Sequence, residues 1–187
     1  NEEINEGLVR FDIVFYVRMK DGLSQIIINV EAQKDEPTGY EILNRAIFYV
    51  SRLISSQKER DFENSSYDDI KRVYSIWGCM NMDGSSMSHV HLTKEDLIGS
   101  YEWKGNLDLL NIIMLGLAKN LPEHDETYEL HRLLGALLSK ELTIDEKLNI
   151  IGNEYDIPIE ENFRKDVSVM CNLSQGIKED GIAIGEA

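Results

Sequence analysis

Asp12, Glu31 and Gln33 are the residues whose types and spacing most directly suggest chemistry, because two strands would bring them together. From Val9 to Arg18 apolar and polar residues alternate, Gln25 to Gln33 is rich in β-branched residues, and Asp21-Gly22 between them is a strong hairpin signal. With Asp21 and Gly22 as a two-residue type I′ loop, cross-strand partners have residue numbers that sum to 43. Asp12 then faces Glu31 and Arg10 faces Gln33. Directly facing carboxylates, with Cβ atoms about 4.5–5.5 Å apart, destabilise a sheet. A hard divalent cation reverses that sign, since Mg²⁺ (or Mn²⁺ in its place) is held by one or two carboxylates with water and phosphate oxygens. The Gln33 amide, two residues beyond Glu31 on the same side, is suited to orient a water or a phosphate oxygen, so the trio fits metal-assisted phosphodiester hydrolysis. The competing reading is that both acids are simply solvated on an exposed strand face, and spacing alone leaves both open.

The elements that must position these residues follow from the same patterns. The register groups Phe11, Ile13, Phe15 and Val17 with Ala32, Val30, Ile28 and Ile26 on one wholly apolar face, and a slip by one residue would mix the faces. After Pro37-Thr38-Gly39, apolar residues Leu43, Ala46, Ile47, Val50, Leu53 and Ile54 recur at three and four, predicting a helix from Tyr40 to about Gln57. Glu41, Arg45 and Arg52 share another side of it. Val73 to Trp77 reads as a short strand, Asn81 to Ser85 as a turn, and Ser88 to Leu92 as a further strand, so strand, strand, helix, strand gives an α/β core. From Asn106 onward helices are expected: a buried core or interface helix at Leu107–Leu117, an amphipathic one at Glu123–Ser139, one started by Thr143 as N-cap, and one beyond Pro158.

Composition bounds the function. Lys and Arg total 19 against 34 Asp and Glu, a net charge of −15 that opposes nonspecific coating of a polyanion. Residues 1–80 carry 10 basic and 14 acidic groups and residues 81–187 carry 9 and 20, so a nucleic-acid surface belongs in the first half. The longest apolar run is too short to span a bilayer and no signal-peptide pattern opens the chain; together with Cys79 and Cys171, far apart and read as reduced thiols, this points to a cytoplasmic protein. No initiator Met is present, which is compatible with a longer parent chain.

Other candidates read more plainly as structure. His89 and His91 share a strand face but have no third ligand nearby, and His124 and His131 lack a Cys or acidic motif partner. Trp77 and Trp103 are expected in the core rather than as stacking platforms for bases. No phosphate-cradling Gly loop, Gly-x-Ser-x-Gly elbow or Cys-x-x-Cys pair occurs.

The segments Arg10-Phe11-Asp12-Ile13, Ile28-Asn29-Val30-Glu31-Ala32-Gln33, Asn44 to Arg52, Val73 to Trp77 and Met170 to Ser174 form an ordered series along nearly the whole chain. In that order they resemble the PD-(D/E)XK nuclease family transposases, relatives of the recombination-promoting nucleases. The resemblance implies a restriction-endonuclease-like mixed-sheet core, with Asp12 as the motif Asp, Glu31 as the motif acid, and the Ala32 carbonyl in the metal shell. Gln33 stands where the family name has Lys, so positive charge for the developing phosphorane must come from elsewhere. Lys34 faces the apolar side in this register; Arg45 is the better candidate, with an i,i+4 salt bridge to Glu41 as its structural alternative. The superfamily core also has a helix and a strand before the motif strand, and here that strand begins within a dozen residues of Asn1.

The expectation is therefore an α/β protein with a nuclease-like core over 1–105, short of part of its N-terminal segment, and an all-helical region over 106–187 packed on it. The expected activity is Mg²⁺- or Mn²⁺-dependent DNA hydrolysis linked to mobile elements or recombination. Asp12, Glu31 and Ala32 would hold the metal, Gln33 and Arg45 would assist, and Arg10, Arg45 and Arg52 would contact DNA. The alternatives are a catalytically inactive nuclease-fold module for binding or assembly, and a homodimer formed through the later helices.

Overall fold

A computed structural model describes residues 13–18, 25–33, 37–139 and 141–168. Strands β1 (Ile13–Arg18), β2 (Gln25–Gln33), β3 (Arg72–Met82), β4 (Ser86–His91) and β5 (Leu110–Ala118) form one mixed sheet in the order β1-β2-β3-β5-β4. The chain divides into two compact units, Asn1–Cys79 with Ser86–Leu115, and Met80–Ser85 with Gly116–Ala187.

In the first unit β1 and β2 are antiparallel, pairing from Ile13↔Val30 to Arg18↔Gln25, and every pair sums to 43 as the Asp-Gly loop predicts. The loop residues Asp21 and Gly22, and with them Arg10, Asp12 and Lys34, lie outside the described residues. Helix α1 (Ile42–Ser55) leaves β2 and returns the chain to β3, which runs parallel to β2 from Ile26↔Arg72 to Gln33↔Cys79. Parallel neighbours need such a crossover. Its buried stripe, Ala46, Val50 and Leu53, is the three-and-four spacing read in the sequence.

The sheet face beneath α1 holds the core of this unit. Ile27, Asn29 and Glu31 of β2 are buried there, as are Val73, Ser75 and Trp77 of β3. Ile28, Val30, Tyr74 and Ile76, on the opposite face, are only half-buried. Beyond α1, Gln57 is buried and its amide acts as a surrogate strand edge: Oε1 accepts from the Lys71 backbone N–H at 2.8 Å and Nε2 donates to the Lys71 carbonyl at 3.1 Å. That tie fixes where the chain enters β3.

In the second unit α2 (Glu129–Leu138) packs on α3 (Ile144–Tyr155), and a further helical segment spans 161–168. Thr143 is the α3 N-cap as its sequence predicts, and it forms a full capping box with Glu146. Buried Lys147 sends Nζ to the Leu137 carbonyl at 3.1 Å, putting a cation at the C-terminal end of α2, where the helix dipole favours it. Arg132 of α2 grips Glu154 of α3 with Nε–Oε2 2.6 Å and Nη2–Oε1 2.8 Å, while its Nη1 donates to the Pro122 carbonyl.

Two sequence expectations are corrected. The run Leu107–Leu117, expected as a helix, is strand β5 from Leu110 to Ala118. A short, largely apolar run fits a strand buried on both faces as well as a buried helix; the adjacent Ile112 and Ile113 and the interior Gly116 tip it toward the strand. Trp103, expected in the core, is 76% exposed. It sits in the segment between β4 and β5, which forms neither helix nor strand and turns at Gly99 (φ 63°) and Gly105 (φ 143°), conformations that favour glycine.

Candidate functional site

The alternation of β2 puts Asn29, Glu31 and Gln33 on one face and Ala32 on the other. Glu31 is 3% exposed, so it is not a solvated surface acid. Its neighbour in the parallel register is Trp77, itself 1% exposed. One step back along β2, fully buried Asn29 donates from Nδ2 to Ser75 Oγ at 3.0 Å, and the same oxygen accepts from Trp77 Nε1 at 2.9 Å. The Asn29 Oδ1 is buried and makes no hydrogen bond.

Helix α1 brings Arg45 to this face. Its Nη1 donates to Tyr40 Oη at 2.9 Å and, at a longer 3.4 Å, to Gln33 Oε1, and its Nη2 donates to Tyr49 Oη at 3.0 Å. The guanidinium carbon lies 4.9 Å from the Tyr49 ring centre, 5.4 Å from that of Trp77 and 5.8 Å from that of Tyr40, within the range of cation–π attraction. Tyr49 in turn meets Trp77 edge-on at 5.6 Å. Burial works against the charge of Arg45, but hydrogen bonds to Tyr49 and Tyr40 outweigh it and hold the group above its ordinary value. The alternative expected for this residue, an i,i+4 ion pair with Glu41, does not form: Glu41 is the helix N-cap residue, and its carbonyl accepts from the Arg45 backbone N–H.

Of the residues singled out in the sequence, the structure thus gathers Glu31, Gln33 and Arg45 into one cluster. Arg52 lies two turns further along α1, about 10 Å away by helical rise. Asp12 and Arg10 are outside the described residues. Sequence reasoning missed Tyr40, Tyr49, Trp77 and Asn29. Tyr49 is legible in retrospect, since it stands at i+4 from Arg45 and so on the same helix face. Trp77 and Asn29 needed the β2–β3 register, which sequence patterning does not supply.

The donors fit a hard divalent ion in kind. The Glu31 carboxylate, the Ala32 carbonyl and the hydrogen-bond-free Oδ1 of Asn29 are oxygen ligands of the sort that Mg²⁺ takes, and Asp12 would add a second carboxylate. Elsewhere, exposed His89 and His91 meet edge-on at 4.7 Å, and His89 Nε2 pairs with Asn111 Oδ1 at 2.8 Å. Among the described residues no group of three or more His, Cys, Asp or Glu side chains converges, and no helix is long and apolar enough to cross a membrane.

Comparison of the chain with protein-family models, with curated proteins and with solved structures found no match to any of them.

Proposed function

We propose that this chain is a Mg²⁺- or Mn²⁺-dependent endonuclease-like protein that hydrolyses DNA phosphodiester bonds, in the setting of mobile elements or recombination that its sequence resemblance implies. The observation that carries the reading is the cluster on β2 and α1: a buried carboxylate, Glu31, two residues from Gln33, whose amide is tied to the Arg45 guanidinium. The antiparallel hairpin of β1 and β2, the crossover helix α1 and the parallel strand β3 support this reading of the core.

Asp12 and Glu31 would hold the ion, with the Ala32 carbonyl in its shell. When bound, the ion would polarise the phosphoryl group and lower the pKa of an attacking water. The remaining tasks fall to the chain itself. Arg45 supplies the positive charge that Lys provides in the family motif, stabilising charge on the phosphoryl oxygens as water adds and the P–O ester bond breaks. Gln33 Oε1 accepts from Arg45 at 3.4 Å, and its amide would help to orient a water or a phosphate oxygen beside that guanidinium. Arg10, Arg45 and Arg52 would contact the DNA backbone, with affinity falling as salt rises.

Titration calorimetry with Mg²⁺ and Mn²⁺ on the wild type, Asp12→Ala and Glu31→Gln, with plasmid nicking on the same samples, tests the proposal. Binding and nicking lost together in both variants support it. Absence of binding in the wild type refutes the catalytic reading and moves the assignment to an inactive binding or assembly module. A specific observation favours that second reading: Leu97, Ile98, Tyr101 and Trp103 are strongly exposed in the segment between β4 and β5, as a partner-binding surface would be.

A further inference from the structure

The environment of Arg45 carries more than a compensating charge. All three of its side-chain hydrogen-bond partners, Tyr40, Tyr49 and Gln33, are neutral, and among the described residues no carboxylate pairs with it. A guanidinium so arranged keeps its full charge while its geometry is fixed by three aromatic rings and two phenols. Across Ile42–Ser55, α1 bears two arginines and no acidic residue, in a chain of net charge −15. A phenol oxygen that accepts from Arg45 also turns its own proton away from the guanidinium, as a donor. Tyr40 is half-exposed, so its hydroxyl lies where a ligand can reach it.

We propose that Arg45, Tyr40 and Tyr49 form a preorganised phosphate subsite that takes a backbone phosphodiester of a nucleic-acid strand and binds it without metal. A tetrahedral oxyanion presents several acceptor oxygens to the remaining N–H donors of the planar fork and to the phenolic O–H of Tyr40, and charge-assisted bonds of this kind are the strong ones. Tyr40 and Tyr49 are positioning residues for the guanidinium, and half-exposed Tyr40 is a donor as well. This inference rests on the nuclease reading for its substrate class, but metal-free binding tests it separately.

The experiment uses the full chain in EDTA, titrated with inorganic phosphate and with a short single-stranded oligodeoxynucleotide, followed by ³¹P NMR and fluorescence anisotropy. Saturable binding of both is expected. Arg45→Met and Arg45→Lys should each weaken it by about tenfold or more, since the fork is lost even where the charge is kept. Tyr40→Phe should weaken it about three- to tenfold by removing one hydroxyl, with the circular dichroism spectrum and Mg²⁺ titration unchanged. A structural role alone would shift the melting temperature of Tyr40→Phe and leave phosphate binding as in the wild type, which would overturn the proposal. Wild-type affinity no better than that of Arg45→Met would also overturn it. Phosphate binding without oligonucleotide binding would refute the nucleic-acid source. If Mg²⁺ binding and nicking fail while Arg45-dependent oligonucleotide binding persists, the subsite stands and the catalytic reading falls; the reverse result removes the subsite alone.

Discussion

Replacing Asn29 by leucine should leave the metal-free protein as stable as the wild type or make it more stable, although the substitution deletes a buried hydrogen bond. Asn29 is fully buried, its Nδ2 donates to Ser75 at 3.0 Å, and its Oδ1 has no partner. A buried acceptor without a partner costs about 1–3 kcal/mol, whereas a neutral hydrogen bond contributes about 0.5–1.5 kcal/mol net. Leucine has nearly the same shape, removes both terms, and leaves Ser75 Oγ still accepting from Trp77 Nε1 at 2.9 Å. The balance runs from about 0.5 kcal/mol of loss to about 2.5 kcal/mol of gain. For a chain of this size each kcal/mol moves the melting temperature by about 2–4 °C. Ser75→Ala is the control with the opposite sign, because it strands both the Asn29 amide and the Trp77 indole N–H, at a cost of about 2–4 kcal/mol. Urea unfolding and thermal melts of the three proteins in EDTA measure this directly. If Asn29 Oδ1 serves as a ligand, the melting-temperature increment on adding Mg²⁺ should also shrink in Asn29→Leu. A loss of more than about 2 kcal/mol in metal-free Asn29→Leu would refute the reasoning, since it would mean that Oδ1 is satisfied in the folded protein and Asn29 is an ordinary structural amide.

Three further outcomes follow from the packing. Glu154 is held below the usual carboxylate range chiefly by its hydrogen bonds from Arg132; its folded pKa is depressed, so its contribution is full above the unfolded value near 4.5 and is lost as pH falls through the folded one. The pair is only about a fifth exposed, so Glu154→Gln should cost about 1–2 kcal/mol at neutral pH and flatten the acid limb of a stability–pH curve measured by urea unfolding. Gln57→Leu should cost about 2–4 kcal/mol, because it strands the Lys71 N–H and carbonyl where α1 is tied to β3, and chemical denaturation should show it. Trp103→Ser should change stability by no more than about 0.5 kcal/mol, and a larger loss in thermal melts would show that this exposed ring is packed after all.

The hairpin register was legible because a side-chain period of two, combined with Asp21-Gly22, leaves a single pairing that keeps the apolar residues on one face. Helix α1 was legible because its buried stripe recurs at three and four. Strand β5 was not, since Leu110–Ala118 is apolar but for Asn111 and has no period to read, and what decides it is its place between β3 and β4. The burial of Glu31 was hidden for a related reason. The apolar side of β2, with Ile28 and Val30, looks like the core side, yet α1 crosses the other face and buries Ile27, Asn29 and Glu31 there. Period-two patterning separates two faces of a strand without saying which one a helix will cover.

That covered face holds the Glu31 carboxylate two residues from Gln33, whose amide accepts from the Arg45 guanidinium. Only part of the Arg45 fork is taken up by phenols and an amide, all neutral, and Trp77 stands beside Glu31 in the neighbouring strand. A guanidinium whose hydrogen-bond partners are all neutral keeps its charge for an anion. On the proposed reading a divalent ion meets Glu31 and a phosphodiester meets Arg45, and a stably folded Glu31→Gln, Arg45→Met double variant whose loss of oligonucleotide affinity in EDTA equals that of Arg45→Met alone would show that the Arg45 subsite acts independently of the metal.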